Sequence, residues 1–305
     1  MTGFAKLPPE FAEWIARSAN DIDSGAAPAE GILPRLAGAG LAGAGVPTGL
    51  GGGGGDVVDG VAAIAAVAEQ SLASAFMLWG HRAYIEYLLQ SANGPLRERQ
   101  LPDLLAGRMA GATGLSNAMK FLAGMEPLQI QARPEGNALV LDGKMPWVTN
   151  LRPAGFHVAA AVDRSDAEPA FVVALSHDDE GLERSPDLEL MAMRSSDTAA
   201  ISISRIRVGH DRIIAENAVD WLPRVRPAFV GLQCGMSIGL ARRSLTEATQ
   251  AAGAGRGVLA EPLAELSQRL DRALARFGDD APEGLCQIAL GGAAGGITLG
   301  RRQVA

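Results

Sequence analysis

The sequence predicts an α+β fold in which an N-terminal helical domain, a middle β-barrel-like domain and a C-terminal helical bundle follow one another. Apolar residues recur at helical spacing in the first third of the chain and again from about residue 215. Between these parts the pattern alternates with the period of a strand. Because helical and strand-like parts are segregated, we predict domains over residues 1–108, 109–214 and 215–305 rather than alternating βαβ units.

The first part of the chain has the pattern of amphipathic and buried helices. Phe11, Trp14 and Ile15 mark one face of a helix that follows a Pro-Pro pair. Further apolar helices are expected over residues 58–67 and 72–89. The N-terminal domain is therefore predicted to be helical throughout.

Strand signals begin after residue 109. Residues 129–133 and 138–141 alternate on either side of a Pro-Glu-Gly-Asn turn, which predicts a hairpin. The alternation slips at Arg205, which predicts a β-bulge. Three further strands are expected, over residues 156–162, 171–175 and 201–208.

The helical period returns in the last part of the chain. One long helix is predicted over residues 229–250 and a second over residues 259–277. Phe229 and Leu232 belong to a broad apolar surface that is expected on the first of these helices. A third helix is expected to start at Leu285 and to be cut short by the chain end, which leaves the C-terminal bundle truncated.

The charge and the cysteine content of the chain indicate which cellular compartment and which classes of partner to expect. A formal net charge of -7 and a pI of about 5.2 argue against nucleic acid as a partner. Cys234 and Cys286 lie far apart without a CxxC motif, so free thiols in a reducing, cytoplasmic compartment are expected. The N-terminus lacks the apolar core of a secretory signal. Glycines interrupt the long uncharged runs, so no membrane element is predicted.

Two common kinds of site are not supported by the sequence. The four histidines have no second ligand at metal spacing, so no metal is predicted. Residues 38–43 match GxGxxG, but a helix-like stretch precedes them and no βαβ pattern follows, so a dinucleotide fingerprint is not expected.

The most informative segment is residues 141–150, which contains Gly143, Lys144, Trp147 and Thr149. Taken alone, Trp147 favours plain core packing. The pattern Gly-Lys-x-x-Trp-Val-Thr-Asn after a hairpin nevertheless resembles the flavin-contact strand of the acyl-CoA dehydrogenase family. Five further segments resemble that family in the same order, namely residues 41–54, 101–107, 193–198, 239–249 and 256–263.

This resemblance implies FAD as the cofactor and an acyl-CoA thioester, or another small molecule, as the substrate. It places the backbone of Leu115 and the hydroxyl of Ser116 at the pyrimidine edge of the flavin. Trp147 would flank the ring system, Thr149 would donate a hydrogen bond towards N5, and Arg256 would contact the diphosphate across a dimer interface. Trp147 and Thr149 are two residues apart, so they are expected on one face of a strand, and Ser116 is expected in the first strand of the middle domain. The same resemblance implies a homo-oligomer, or an oligomer formed with a full-length relative.

The sequence also departs from the family pattern. The usual Glu-Pro after the hydroxyl residue is replaced by Asn117 and Ala118. The family places a catalytic glutamate near the chain end or early in the first long C-terminal helix, and residues 226–233 contain no carboxylate. No catalytic residue is therefore assigned. Three functions stay open: a dehydrogenase with impaired catalysis, a flavin-dependent monooxygenase, and an inactive homologue that acts as an oligomer subunit.

Overall fold

The structure, a computed structural model, describes residues 6–166, 168–251 and 256–279. Helices fill both ends of this range and strands fill the middle, so the predicted α+β order is confirmed. The limits of the three predicted domains stay a prediction. The described helices are α1 (Pro9–Ser24), α2 (Ile32–Gly38), α3 (Val57–Ala68), α4 (Leu72–Leu89), α5 (Gly94–Leu105), α6 (Ser116–Leu122), α7 (Ala218–Ala251) and α8 (Arg256–Asp279).

The middle part is a mixed sheet whose hydrogen-bonded path runs β6-β7-β3-β2-β4-β5-β8, with β1 attached to β4. The first strand pairs parallel with β4, and β2 also pairs parallel with the end of β4, whereas the other described pairs are antiparallel. The strands are β1 (Ala110–Thr113), β2 (Ile130–Glu135), β3 (Ala138–Val148), β4 (Phe156–Arg164), β5 (Phe171–Ser176), β6 (Leu182–Arg184), β7 (Ala199–Val208) and β8 (Ile213–Ala215).

The predicted hairpin and the predicted bulge are both confirmed. Strands β2 and β3 pair antiparallel across the turn, from Glu135 opposite Ala138 outwards. The register of β3 with β7 shifts next to Asp142, and Arg205 has a φ of 56°. The Arg205 N–H donates to Oδ1 of Asp142 at 2.9 Å, so the bulge is held by the strand that it faces.

Two apolar clusters organise the molecule. One fills the inside of the sheet, where residues such as Leu141, Val158 and Ile203 are buried. The other joins helices from both ends of the chain and includes Ile64 of α3 and Leu232 of α7. The N-terminal and C-terminal helices therefore share one core.

The structure differs from the sequence-based expectations at Ser116 and in the long C-terminal helix. Ser116 was expected in the first strand of the middle domain, and this is wrong, because the chain turns after Thr113 and Ser116 begins α6. Phe229 and Leu232 were expected on an apolar surface of the long C-terminal helix, but both are buried inside the bundle. The third helix predicted from Leu285 lies outside the described residues.

His81 of α4 links the N-terminal helices to the sheet. Its imidazole is fully buried, with Nε2 at 3.0 Å from the carbonyl oxygen of Leu104 and Nδ1 accepting from the N–H of Gly111 at 2.9 Å. Because Nδ1 accepts, the proton of the neutral ring lies on Nε2 and is donated to Leu104. Burial lowers the pKa of His81 to about 3.

This buried imidazole predicts an acid-dependent loss of stability. The unfolded chain binds a proton at His81 below pH 6.5 and the folded chain does not, so the free energy of unfolding falls as the pH drops from 6.5 towards 3. The slope from this residue approaches about 1.4 kcal/mol per pH unit. His81→Gln keeps a donor and an acceptor without titrating, and should remove that part of the slope in urea titrations. Parallel pH profiles for the two proteins would contradict this assignment.

Candidate functional site

A cleft of about 240 Å³ opens where the start of α6 meets β2 and β3. Ser116 and Trp147, which the sequence placed at one cofactor, both line it. The other lining residues come from the same three elements, from the segments before α6 and before β2, and from β4: Gly114, Asn117, Lys120, Glu126, Gln129, Ile130, Lys144, Met145, Pro146 and Ala161.

Trp147 presents a flat apolar ring at this cleft. Its side chain is 69% exposed, which is unusual for so large an apolar residue and excludes the core-packing interpretation. The pairing of β3 with β7 shifts between Met145 and Val148, and Pro146 and Trp147 are both exposed as a result. An exposed indole beside polar groups can stack on a planar ligand.

Thr149 occupies a different environment from Trp147. Its side chain is 4% exposed, its hydroxyl donates to the carbonyl of Ser196 at 3.2 Å, and it accepts from the hydroxyl of Thr198 at 3.1 Å. The expectation that Trp147 and Thr149 share one face of a strand is wrong, since β3 ends at Val148 and the alternation is already lost before it. The contact of Thr149 with the flavin stays a prediction.

Thr149 is held in place by α4. A Cβ added to Gly80 would lie 3.0 Å from Cγ2 of Thr149, so the helix backbone approaches this side chain closely. The next residue, Asn150, adopts a φ of 63° and donates from its amide to the carbonyl of Gly111 at 2.8 Å. Asparagine tolerates this left-handed conformation better than most residues.

The chain approaches the cleft through Gly114 and Leu115. A Cβ at Gly114 would lie 2.3 Å from Sδ of Met145 and 2.8 Å from the carbonyl oxygen of Ala159, so only glycine fits there. Leu115 is fully buried and anchors the turn, whereas Ser116 is exposed at the first position of α6. The requirement for glycine at this position was missed in the sequence, where only the Leu-Ser pair was considered.

Charged residues at the cleft were also missed. Lys120 pairs with Glu126 at 3.0 Å, and the hydrogen bond from Lys120 lowers the pKa of Glu126. Lys144 lies on the opposite strand and lines the same cleft. Lys144 was part of the recognised Gly-Lys-x-x-Trp pattern, whereas Lys120 carried no signal, because the helix that presents it was not predicted.

The remaining predicted residue, Arg256, is the first residue of α8, and its contact with a cofactor diphosphate stays a prediction.

The two carboxylates that flank residues 226–233 are engaged elsewhere. Asp220 accepts from the amide of Asn217 at 2.7 Å, and Glu247 forms an exposed ion pair with Arg243 at 2.6 Å.

The residues at the cleft fit a flavin in part. Trp147 offers a flat ring, Ser116 an exposed hydroxyl, and Lys120 and Lys144 positive charge for a polar or anionic edge. Thr149 fits less directly, because its hydroxyl proton is already donated to Ser196.

The described residues contain no group of three or more His, Cys, Asp or Glu side chains arranged to hold a metal. Nor does any helix in the described ranges have the length and apolar character of a membrane span.

Comparisons with known proteins find sequence similarity to the acyl-CoA dehydrogenases. The family model of the acyl-CoA dehydrogenase N-terminal domain matches residues 7–108. The probable acyl-CoA dehydrogenase fadE25 of Mycobacterium leprae is 27% identical over 246 residues, which cover 77% of this chain and 61% of that protein. The chain thus spans about 61% of the length of that curated relative.

Solved structures show the same fold. Butyryl-CoA dehydrogenase from Megasphaera elsdenii superimposes with a TM-score of 0.78 at 19% identity, covering 92% of this chain and 77% of that one. The structure of an FAD-dependent dehydrogenase gives a TM-score of 0.72 at 17% identity, covering 94% of this chain and 78% of that one.

Proposed function

We propose that this chain is a flavoprotein oxidoreductase of the acyl-CoA dehydrogenase type, which holds FAD and acts on an acyl-CoA thioester. The observation that carries the proposal is the exposed indole of Trp147, which lines one cleft together with Ser116. Both residues lie in segments that resemble the flavin-contact segments of the family.

Each residue of the cleft has a role in this proposal. When bound, FAD would supply the redox chemistry by accepting a hydride from the acyl chain. The Trp147 ring would stack on the flavin, and the Ser116 hydroxyl would hydrogen-bond its polar edge. Leu115 anchors the turn that presents Ser116, and the neighbouring lysines, Lys120 and Lys144, would favour negative charge at the mouth of the cleft.

We further propose that catalysis of acyl-CoA dehydrogenation is impaired. A base must reach the hydrogen on Cα, and Glu126 is the carboxylate among the described lining residues of the cleft. Its ion pair with Lys120 lowers its pKa, which makes it a weak base. This observation favours a flavin-dependent monooxygenase of the same fold as the second candidate, since that chemistry uses reduced flavin and oxygen without such a carboxylate.

The proposal includes association of this chain with a second copy or with a full-length relative. Apolar side chains are exposed on α7 and α8: Leu240 is 46% exposed, Val258 83% and Leu266 47%. Apolar helix surface of this kind is stabilised by burial in an oligomer interface. The cytoplasmic location predicted from the sequence stays a prediction.

Flavin binding is tested by titrating the purified full chain with FAD while the visible spectrum of the flavin is recorded. Trp147→Ala removes the stacking surface and should weaken FAD binding about tenfold, equivalent to about 1.4 kcal/mol. Because the side chain is 69% exposed, the same change should leave the melting temperature nearly unaltered.

Two further variants sharpen this test. Trp147→Phe keeps a flat ring and should bind FAD within about threefold of the parent protein. Met191→Ala alters a fully exposed apolar side chain outside the cleft and should have no effect. Equal FAD affinity of the Trp147→Ala protein and its parent would contradict the placement of the flavin, and a parent protein that holds no flavin would favour the inactive homologue.

A further inference from the structure

A second pocket, of about 370 Å³, lies where the end of α1 meets the segment before β4 and the segment before β7. Within the described chain it shares no lining residue with the cleft that contains Trp147. The segment before β7 is held against α1, since the N–H of Ser195 donates to the carbonyl oxygen of Ile22 at 3.1 Å. Backbone contacts between distant parts of the chain therefore fix the walls of this pocket.

Asp197 is a buried carboxylate in the wall of the pocket. It is 4% exposed, and no described residue donates a hydrogen bond to Oδ2. Burial raises the pKa of Asp197 to about 6, with a further contribution from the negative charge of Asp187, while the guanidinium of Arg184 acts in the opposite direction. Asp187 is itself paired with Arg184. At neutral pH Asp197 is therefore mostly ionised and keeps one oxygen without a donor.

Arg152 brings the opposite charge to the same pocket. It is 5% exposed, and its Nη1 and Nη2 donate to the carbonyl oxygens of Gly107 and Arg108. Its Nε has no acceptor among the described residues. Nε of Arg152 and Oδ2 of Asp197 therefore do not satisfy each other, although both side chains line one pocket.

The rest of the lining is mixed in charge and mostly apolar. Arg194 and Glu30 line the pocket as well, and both are exposed to solvent. The stem of Arg194 packs on the end of α1, where a Cβ added to Gly25 would lie 3.0 Å from its Cβ. Most of the remaining lining consists of small apolar residues, namely Ala27, Pro28, Ala29, Pro153 and Ala154.

The two unpaired atoms restrict the kind of ligand that the pocket can take. A buried polar atom without a partner is unfavourable, and more so when its group is charged. Proteins keep few such atoms unless a ligand or a water completes them. A simple anion would satisfy Arg152 and leave Asp197 unpaired, and a simple cation would do the reverse. A small molecule that carries both charges satisfies both side chains at once.

We propose that this pocket binds an α-amino acid with an aliphatic side chain. The ammonium group donates to Asp197, and the carboxylate accepts from Arg152 and from the exposed Arg194. The aliphatic side chain contacts the apolar lining, which leaves no polar group of the ligand without a partner. Both unpaired atoms are enclosed in the ligand-free chain, so binding requires the two buried side chains to turn towards the pocket that they line.

The volume of the pocket also fits a molecule of this size. A single bound water needs only about 10–15 Å³, far less than the 370 Å³ present. The proposal goes beyond the proposed function, because it involves neither FAD nor an acyl thioester, and it includes no reaction step.

Calorimetry on the purified full chain at neutral pH tests this with probes that differ only in their charged groups. L-leucine is compared with 3-methylbutylamine, which lacks the carboxylate, and with 4-methylpentanoate, which lacks the ammonium group. L-valine is compared in the same way with 2-methylpropylamine and 3-methylbutanoate. At least one amino acid should bind about tenfold tighter or more than both of its partners. If neither amino acid binds, or if an amine or an acid binds as tightly as its amino acid, the proposal is overturned.

Two variants test the charges of the pocket separately. Asp197→Asn keeps the shape of the side chain, and asparagine tolerates the φ of 48° at this position, so the variant should fold. It should bind the amino acid about tenfold more weakly. Arg194→Gln should also weaken the amino acid but leave 3-methylbutylamine unchanged, since the amine has no carboxylate. Asp220→Asn makes the same change at an exposed carboxylate outside the pocket and should have no effect.

A further readout needs no ligand. Asp197→Asn removes a buried charge that lacks a donor, so the ligand-free variant should melt at the same temperature as the parent protein or higher. A clearly lower melting temperature would show that the carboxylate is already paired within the protein, and it would overturn the proposal. Unaltered amino-acid affinity of Asp197→Asn would overturn it as well. Because none of these measurements involves FAD, their outcome is independent of the proposed function.

Discussion

Replacing Gly239 by alanine is expected to destabilise the protein by about 3 kcal/mol, although alanine is the better helix former by about 1 kcal/mol. Gly239 lies in α7 where that helix crosses α3. An added Cβ would lie 2.2 Å from the carbonyl oxygen of Ala65 and 2.6 Å from Cβ of Ala68. Backbone and a packed methyl group cannot move aside, so the two helices must separate and lose part of the shared core.

Chemical denaturation of the full chain measures this effect, and a second glycine serves as the control. Gly257 lies in α8 with open space around its missing Cβ. Gly257→Ala should therefore leave stability unchanged or raise it by up to about 1 kcal/mol. If Gly239→Ala proves as stable as the parent protein, α3 and α7 do not pack as closely as the structure indicates.

The fold was largely predictable because each part of it repeats a local pattern. The hairpin around residues 134–137 and the bulge at Arg205 are determined by neighbouring residues and could be predicted from alternation alone. The helix α6 was missed because it spans only seven residues, too few to show a period. The close approach of α3 and α7 at Gly239 is a long-range contact, and its glycine looks like any other in the sequence.

The candidate site could be predicted only at residues that lie in a segment resembling the family. Trp147 and Ser116 do share a cleft, but the sequence could not show that Thr149 turns inwards to Ser196, because that depends on where β3 ends. The sequence also could not show that the guanidinium of Arg82 has no hydrogen-bond acceptor among the described residues. An arginine within an apolar helix pattern carries no sign of whether its partner exists, since the partner would come from another helix.

Acyl-CoA thioesters should reduce the FAD-loaded protein slowly. A positioned base contributes about 10²- to 10⁴-fold to the removal of a proton by general base catalysis. Within the described chain, the long helix α7 carries no carboxylate between residues 226 and 233, and Glu247 is exposed and paired with Arg243. We therefore expect flavin reduction at least about 10²-fold slower than in butyryl-CoA dehydrogenase from Megasphaera elsdenii measured in parallel.

The FAD-loaded protein is mixed rapidly and anaerobically with a panel that includes both methyl-ended and carboxylate-ended thioesters. The loss of visible flavin absorbance is then recorded over time. Glu126→Gln is the matched control, since Glu126 lines the cleft and is the nearest candidate for an unrecognised base. Its ion pair with Lys120 holds its pKa down, so its removal should leave the slow rate unchanged. Rapid bleaching in the parent protein that disappears in Glu126→Gln would identify Glu126 as the base. Rapid bleaching in both proteins would place a competent base elsewhere in the chain, and either result would contradict the proposal of impaired catalysis.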